Sequence, residues 1–206
     1  MSPARPWLYA ISAGLGPAVA LDLVRLAAAA GVDFLQLREK RLNGGELYTL
    51  SKAALAVRGS APLRLLLNDR LDIALAAGLD GVHLPAAGLP AEAARALCPP
   101  GFLMGVSCHS SADVNASADA DYCLLGPIFP TPSKLGMGTP LGLATLEAAA
   151  AIRPVLALGG ITAANAAACM AHGAAGIAAI RLFADATPAS LRELRRAWGT
   201  GSPQSA

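Results

Sequence analysis

The 206-residue sequence has little of what marks several large classes of protein. No stretch of ~18 residues escapes a charge or a Gly/Pro break, which argues against a membrane-spanning helix; the apolar segment Ala18 to Ala30 is interrupted by Asp22 and Arg25. No charge sign dominates: 16 basic and 14 acidic residues leave +2, too near neutrality to argue for a nucleic-acid partner. Charges of both signs make up only 15% of the chain against 54% hydrophobic residues, so the chain is built to be buried rather than disordered. The four cysteines, at 98, 108, 123 and 169, form no Cys-x-x-Cys pair, and a domain of this size has no need of disulfide staples. The His and Cys spacings match no zinc motif, and there is no nucleophile elbow. Met1 to Pro6 lead into a strand-like run with no signal-peptide core, so a reduced, cytoplasmic enzyme is expected.

What is present is an alternation. Eight short β-rich runs are predicted: Leu8–Ser12, Asp33–Arg38, Leu63–Asn68, Gly81–Leu84, Leu103–Ser107, Tyr122–Gly126, Pro154–Leu158 and Gly176–Arg181. Between them lie helix candidates at Ala18–Ala30, Gly44–Arg58, Arg70–Ala77, Pro90–Leu97 and Leu141–Ala151, with Ala163–His172 and Pro188–Trp198 after the last two strands. Several strands are continuous apolar runs (LRLLL, CLLG, PVLAL), as parallel strands covered on both faces are. Eight alternations predict a single-domain (β/α)8 TIM barrel over residues 1–198, smaller than the usual ~250 residues, with a disordered tail at 199–206. An open doubly wound sheet would want a glycine fingerprint after the first strand; that turn reads Ser12-Ala-Gly-Leu-Gly-Pro, without the spacing. Thr162 is a natural N-cap and Gly173 a natural terminator for the seventh helix.

In such a barrel the reacting groups sit at the carboxyl ends of the strands. Gln36, Arg38 and Lys40 alternate at the end of the second strand, on one face. Cations aimed into a barrel mouth need an anion, because an unpaired buried charge is costly, and Arg and Lys both suit phosphate oxygens. The alternative is a solvated cluster with Glu39 and Arg41 on the outside. Lys134 sits in a Pro- and Ser/Thr-rich loop able to reach the same space. Gly159-Gly160 before a helix, with Arg181 on the eighth strand, suits the phosphate site that barrels often build after strands seven and eight. Asp69 has two readings, a Mg²⁺ ligand or the cap of the helix beginning at Arg70. His83 and His109 fall at strand ends where they could touch substrate, but with no base-plus-orienter set beside them a structural role is the better reading; His172 suits a helix C-terminus.

Seven short segments in order, QLREK (36–40), LLNDR (66–70), GVHLP (81–85), GVSCH (105–109), GPIFPTPSK (126–134), ALGGI (157–161) and GAAGIAAI (173–180), resemble the thiamine phosphate synthase family. The resemblance implies a transferase of thiamine biosynthesis. It would couple hydroxymethylpyrimidine diphosphate with thiazole phosphate, giving thiamine phosphate and diphosphate. It further implies that Gln36, Leu37, Arg38, Glu39 and Lys40, with Asn68, Ser107 and Lys134, hold the pyrimidine diphosphate. Thr131, Pro132 and Ser133, Gly159 or Gly160, and Ile180–Arg181 would hold the thiazole phosphate, Asp69 would hold Mg²⁺, and Arg38, Lys40 and Lys134 would carry the catalytic charge. The partners so implied are small phosphorylated molecules, with no nucleic acid or membrane; nothing in the sequence sets an oligomeric state.

Two positions depart from the family pattern. Gly88 stands where the fourth-strand loop of the family carries a second metal-binding Asp, and Arg181 stands where a small polar residue is usual. The first departure resembles a sister branch, the thiazole tautomerases, which can place a His after the glycine ending the sixth strand; here Gly126 is followed by Pro127, and Asn68, Asp69 and Lys134 are kept. A non-catalytic phosphometabolite-binding barrel is a third reading.

Overall fold

The computed structural model describes residues 5–131 and 139–199. Eight strands, β1 (Trp7–Ile11), β2 (Phe34–Leu37), β3 (Arg64–Asn68), β4 (Gly81–Leu84), β5 (Leu103–Cys108), β6 (Tyr122–Leu125), β7 (Val155–Leu158) and β8 (Gly176–Ala179), pair in parallel in sequence order, and β8 closes on β1. Each is followed by a helix: α1 (Pro17–Ala30), α2 (Gly44–Arg58), α3 (Leu71–Ala77), α4 (Ala91–Arg95), α5 (Ser111–Ala116), α6 (Gly142–Ala150), α7 (Ala163–Ala171) and α8 (Pro188–Gly199). This is the (β/α)8 barrel expected from the alternation. The expected tail beyond Gly199 lies outside the described residues.

The continuous apolar runs are explained by two cores, one on each face of the barrel wall. Leu8, Ala10, Leu35, Leu37, Leu65 and Leu67 point outward into a layer shared with the helices. Their neighbours Tyr9, Ile11, Phe34, Leu66, Tyr122, Leu124, Leu156 and Ala178 fill the interior. The period of two along each strand thus serves two apolar environments instead of one apolar and one wet face.

Helix ends follow local chemistry. Asn43 and Glu46 form a capping box on α2, and Thr162 and Asn165 form one on α7. Of the two readings of Asp69 the helix cap is not made: Arg70 occupies the N-cap position of α3 without a side-chain cap bond. Helix α5 was not among the sequence candidates; its six residues are too few to show a period, though Ser110 accepting from the Asp113 N–H marks its start. Strand β8 stops at Ala179 rather than running to Arg181, because Ile180 turns into helical backbone and Arg181–Phe183 forms a 3-10 turn.

The amino-terminal face is held by a repeated device. Asp33, Asp80 and Asp121, each just before an even-numbered strand, accept the backbone N–H of Leu8, Leu65 and Met104 at 2.7–2.8 Å and pair with arginines. Ala175 occupies the corresponding position before β8. Chemistry-bearing residues are therefore left to the opposite, carboxyl face.

Candidate active site

A cavity of about 600 Å³ opens at the carboxyl ends of the strands, within the range of small-molecule sites. Gln36, Arg38 and Lys40 all line it, as their shared parity on the chain leaving β2 requires. Asn68 from β3, Ser107 from β5, Thr131 after β6, Gly159 and Gly160 after β7, and Ile180 and Arg181 after β8 line it too. Residues far apart in sequence meet here because each ends a strand of one closed sheet.

Two members of the contiguous span 36–40 do not reach the cavity. Leu37 is fully buried in the layer between barrel and helices. Glu39, 5% exposed, turns toward the segment joining β1 and α1: its carboxylate accepts from Ser12 Oγ at 2.7 Å, Gly14 N at 3.2 Å and Gly16 N at 2.9 Å. Ser12 Oγ in turn accepts the N–H of Arg38 at 2.7 Å. Glu39 thus fixes the loop beside Arg38. Pro132, Ser133 and Lys134 lie outside the described residues.

Among the described residues no carboxylate pairs with Arg38, Lys40 or Arg181. Arg181 donates through Nη2 to Thr131 Oγ1 at 2.9 Å. Three cations lining one cavity, Arg38 half-buried and Lys40 and Arg181 exposed, suit an anionic ligand through charge-assisted hydrogen bonds. Gly159 and Gly160 have φ of 91° and 67°. A Cβ on them would lie 2.6 Å from Pro127 Cα and 2.5 Å from the Pro130 oxygen. Only glycine lets the loops after β6 and β7 close on each other here.

Asp69 follows Asn68 at the end of β3, outside the cavity lining, exposed and with φ of 67°, the one non-glycine residue with positive φ among those described. Such backbone strain is a feature of functional positions. Its neighbourhood contributes no second acid: no group of three or more His, Cys, Asp or Glu able to hold a metal occurs among the described residues. Gly88 sits in a tight turn in which an added Cβ would come within 2.9 Å of the Pro85 ring. One carboxylate supplies a fraction of the six oxygens that Mg²⁺ takes, so these residues fit a metal carried by a diphosphate better than a preformed cage.

The cavity floor is polar. Gln36 Nε2 donates to Asn68 Oδ1 at 2.9 Å, and Tyr9 Oη donates to Gln36 Oε1 at 3.4 Å. His83 Nε2 lies 2.9 Å from Ser107 Oγ, while its Nδ1 is buried without a partner among the described residues. Burial pushes His83 down to about 3, so the imidazole is neutral at physiological pH. Sequence reasoning gave His83 a structural role and missed its bond to Ser107; the signal was their common parity on neighbouring strands, paired through Gly105. His109 Nδ1 bonds the Gly126 carbonyl at 2.7 Å, and His172 Nδ1 the Ala168 carbonyl at 2.8 Å at the end of α7. All four cysteines are free thiols, and no helix among the described residues is long and apolar enough to cross a membrane.

Residues 8–183 match the sequence profile of the thiamine monophosphate synthase family. The chain is 50% identical over 163 residues to the thiamine-phosphate synthase of Methanoculleus marisnigri, covering 77% of each chain. Over 181 residues it is 42% identical to that of Moorella thermoacetica, covering 85% of this chain and 86% of the other. Among solved structures, the thiamine phosphate pyrophosphorylase of Pyrococcus furiosus superposes with a TM-score of 0.81 at 30% identity, covering 94% of this chain and 95% of that one.

Proposed function

The chain belongs to the thiamine monophosphate synthase family, and we propose that its cavity joins hydroxymethylpyrimidine diphosphate to thiazole phosphate, releasing diphosphate and thiamine phosphate. The observation that carries the assignment of roles is the convergence of Arg38, Lys40 and Arg181 on one cavity without a carboxylate partner among the described residues.

In the first step the bond between the pyrimidine methylene and the diphosphate oxygen breaks, and the electron pair leaves on oxygen. Positive charge stays on the methylene and spreads into the aminopyrimidine ring. Arg38 and Lys40 stabilise the leaving diphosphate as its charge grows, a task for cations already in place. Asp69 would be the protein ligand of a Mg²⁺ carried in by the diphosphate, which would supply further counter-charge. The thiazole nitrogen then forms the new C–N bond; holding it beside the cation makes that step unimolecular. Gly159, Gly160, Thr131 and Arg181 hold the thiazole phosphate. Lys134 would add a third charge to the diphosphate. No protein nucleophile is called for. The reaction runs in the cytoplasm, on free phosphorylated substrates.

Arg38→Ala and Lys40→Ala test these roles. Each should lower kcat on the order of 10²-fold with the fold intact. Wild-type turnover in either variant would remove that residue from the reaction.

A further inference from the structure

Beneath the residues that face substrate lies a chain of hydroxyls and amides that the mechanism above does not use. We propose that Tyr122 and Tyr9 are positioning residues which, through Gln36, fix Asn68 as an N–H donor to the pyrimidine diphosphate. The proposal rests on the functional reading above and deepens it.

The direction of the chain is set by the way the Gln36 amide is turned, its oxygen to Tyr9 and its nitrogen to Asn68. Tyr9 donates its single hydroxyl proton to Gln36 Oε1 at 3.4 Å. The 3.0 Å contact between the Tyr9 and Tyr122 hydroxyls can then be made only with Tyr122 donating. With its oxygen occupied, Gln36 turns Nε2 to Asn68 Oδ1 at 2.9 Å. Asn68 is left with an amide nitrogen that has no partner among the described residues, at the cavity wall. Every proton runs the same way, from the barrel interior toward the mouth. The wall formed by Gln36 and Asn68 therefore offers N–H groups, and it suits ligand acceptors such as a ring nitrogen or a phosphate oxygen.

Two features keep the chain in this sense. Both tyrosines are fully or almost fully buried among Phe34, Leu66 and Leu124, and burial raises both phenols far above their ordinary range, so they remain donors at any working pH. The second feature is Gly105 on β5. A Cβ there would fall 2.1 Å from Cζ and 2.3 Å from the hydroxyl of Tyr122. The bare backbone of Gly105 is the space in which the Tyr122 ring crosses toward Tyr9. Hydroxyls in an interior otherwise apolar would be costly without such a use for them.

Tyr9→Phe and Tyr122→Phe keep the rings and remove one proton each. In Tyr9→Phe, Gln36 loses the one partner its oxygen has among the described residues and can turn over, and Asn68 with it. The KM for the pyrimidine diphosphate should rise about tenfold, that for thiazole phosphate should stay as in wild type, and the effect of Tyr122→Phe should be smaller but of the same kind. The side-chain amide signals of Gln36 and Asn68 in ¹⁵N NMR, sharp and shifted in the wild type, should move toward free-amide positions in Tyr9→Phe. Unchanged pyrimidine KM in both variants, or an equal rise for both substrates, would overturn the relay. So would unchanged amide signals. A wild type that binds but never joins the two substrates would defeat the functional reading instead, and the amide signals would still decide the relay.

Discussion

Arg181 Nη2 donates to Thr131 Oγ1 across 2.9 Å, tying the turn after β8 to the loop after β6 at the cavity wall. The bond turns the guanidinium toward the cavity rather than toward Asp185, with which it makes no ion pair. A phosphate held by Gly159 and Gly160 would meet it there. Arg181→Ser should therefore raise the Kd of thiazole phosphate about tenfold or more, because a charge-assisted bond is lost, while the Kd of the pyrimidine diphosphate stays put. Unaltered thiazole phosphate affinity in calorimetry would count against Arg181 as a phosphate ligand.

Glu39 gives a different pattern. Its carboxylate satisfies one hydroxyl and two backbone N–H groups while itself buried. Glu39→Ala leaves those donors unpaired and should cost about 2–3 kcal/mol in urea unfolding, with substrate affinity falling only as far as Arg38 loses its anchored backbone. If affinity collapsed while stability stayed whole, Glu39 would be a ligand of the substrate after all.

His83 makes stability depend on pH. Its folded pKa, about 3, lies below the ~6.5 of an unfolded chain, so below that value only the unfolded state takes the proton. The stability this depression protects is whole above pH ~6.5 and falls as pH drops from there toward 3. Between pH 7 and pH 5 wild type should lose about 2 kcal/mol more than His83→Gln. Equal losses in urea titrations at the two pH values would mean the imidazole is not held neutral.

Magnesium should arrive with substrate. Asp69 alone offers too few oxygens for a hexacoordinate ion, and Gly88 has no room for an acid beside Pro85. Calorimetric titration of Mg²⁺ into ligand-free protein should give little heat, and the same titration with diphosphate present should show a saturable site that Asp69→Ala weakens. Tight binding in the absence of diphosphate would reveal a complete site in the protein.

The parts of this account legible in the sequence are those written in local period. Strand β4 runs from Gly81 to Leu84 as its apolar run predicts, and the shared parity of Gln36, Arg38 and Lys40 predicts their common face. Leu37 and Glu39 fell into the expected site because a contiguous motif was carried over whole, and the same parity argument sends both away from the cavity. The end of β8 was misjudged because Ile180 is as apolar as the strand before it; the turn is a backbone event with no composition of its own. Tyr9 and Tyr122, 113 positions apart, meet only because the barrel closes, and no spacing rule reaches that far. The pairing of His83 with Ser107 was within reach of the sequence, since β4 and β5 are consecutive and His83 lies opposite Gly105, two positions before Ser107.

The central claim, that this cavity joins two substrates, is tested most directly by product stoichiometry. Purified protein with hydroxymethylpyrimidine diphosphate, thiazole phosphate and Mg²⁺ should release thiamine phosphate and diphosphate in equal amounts, and no thiamine phosphate should form when either substrate is withheld. Isomerised thiazole phosphate as the sole product, or binding of both substrates without any diphosphate released, would contradict it.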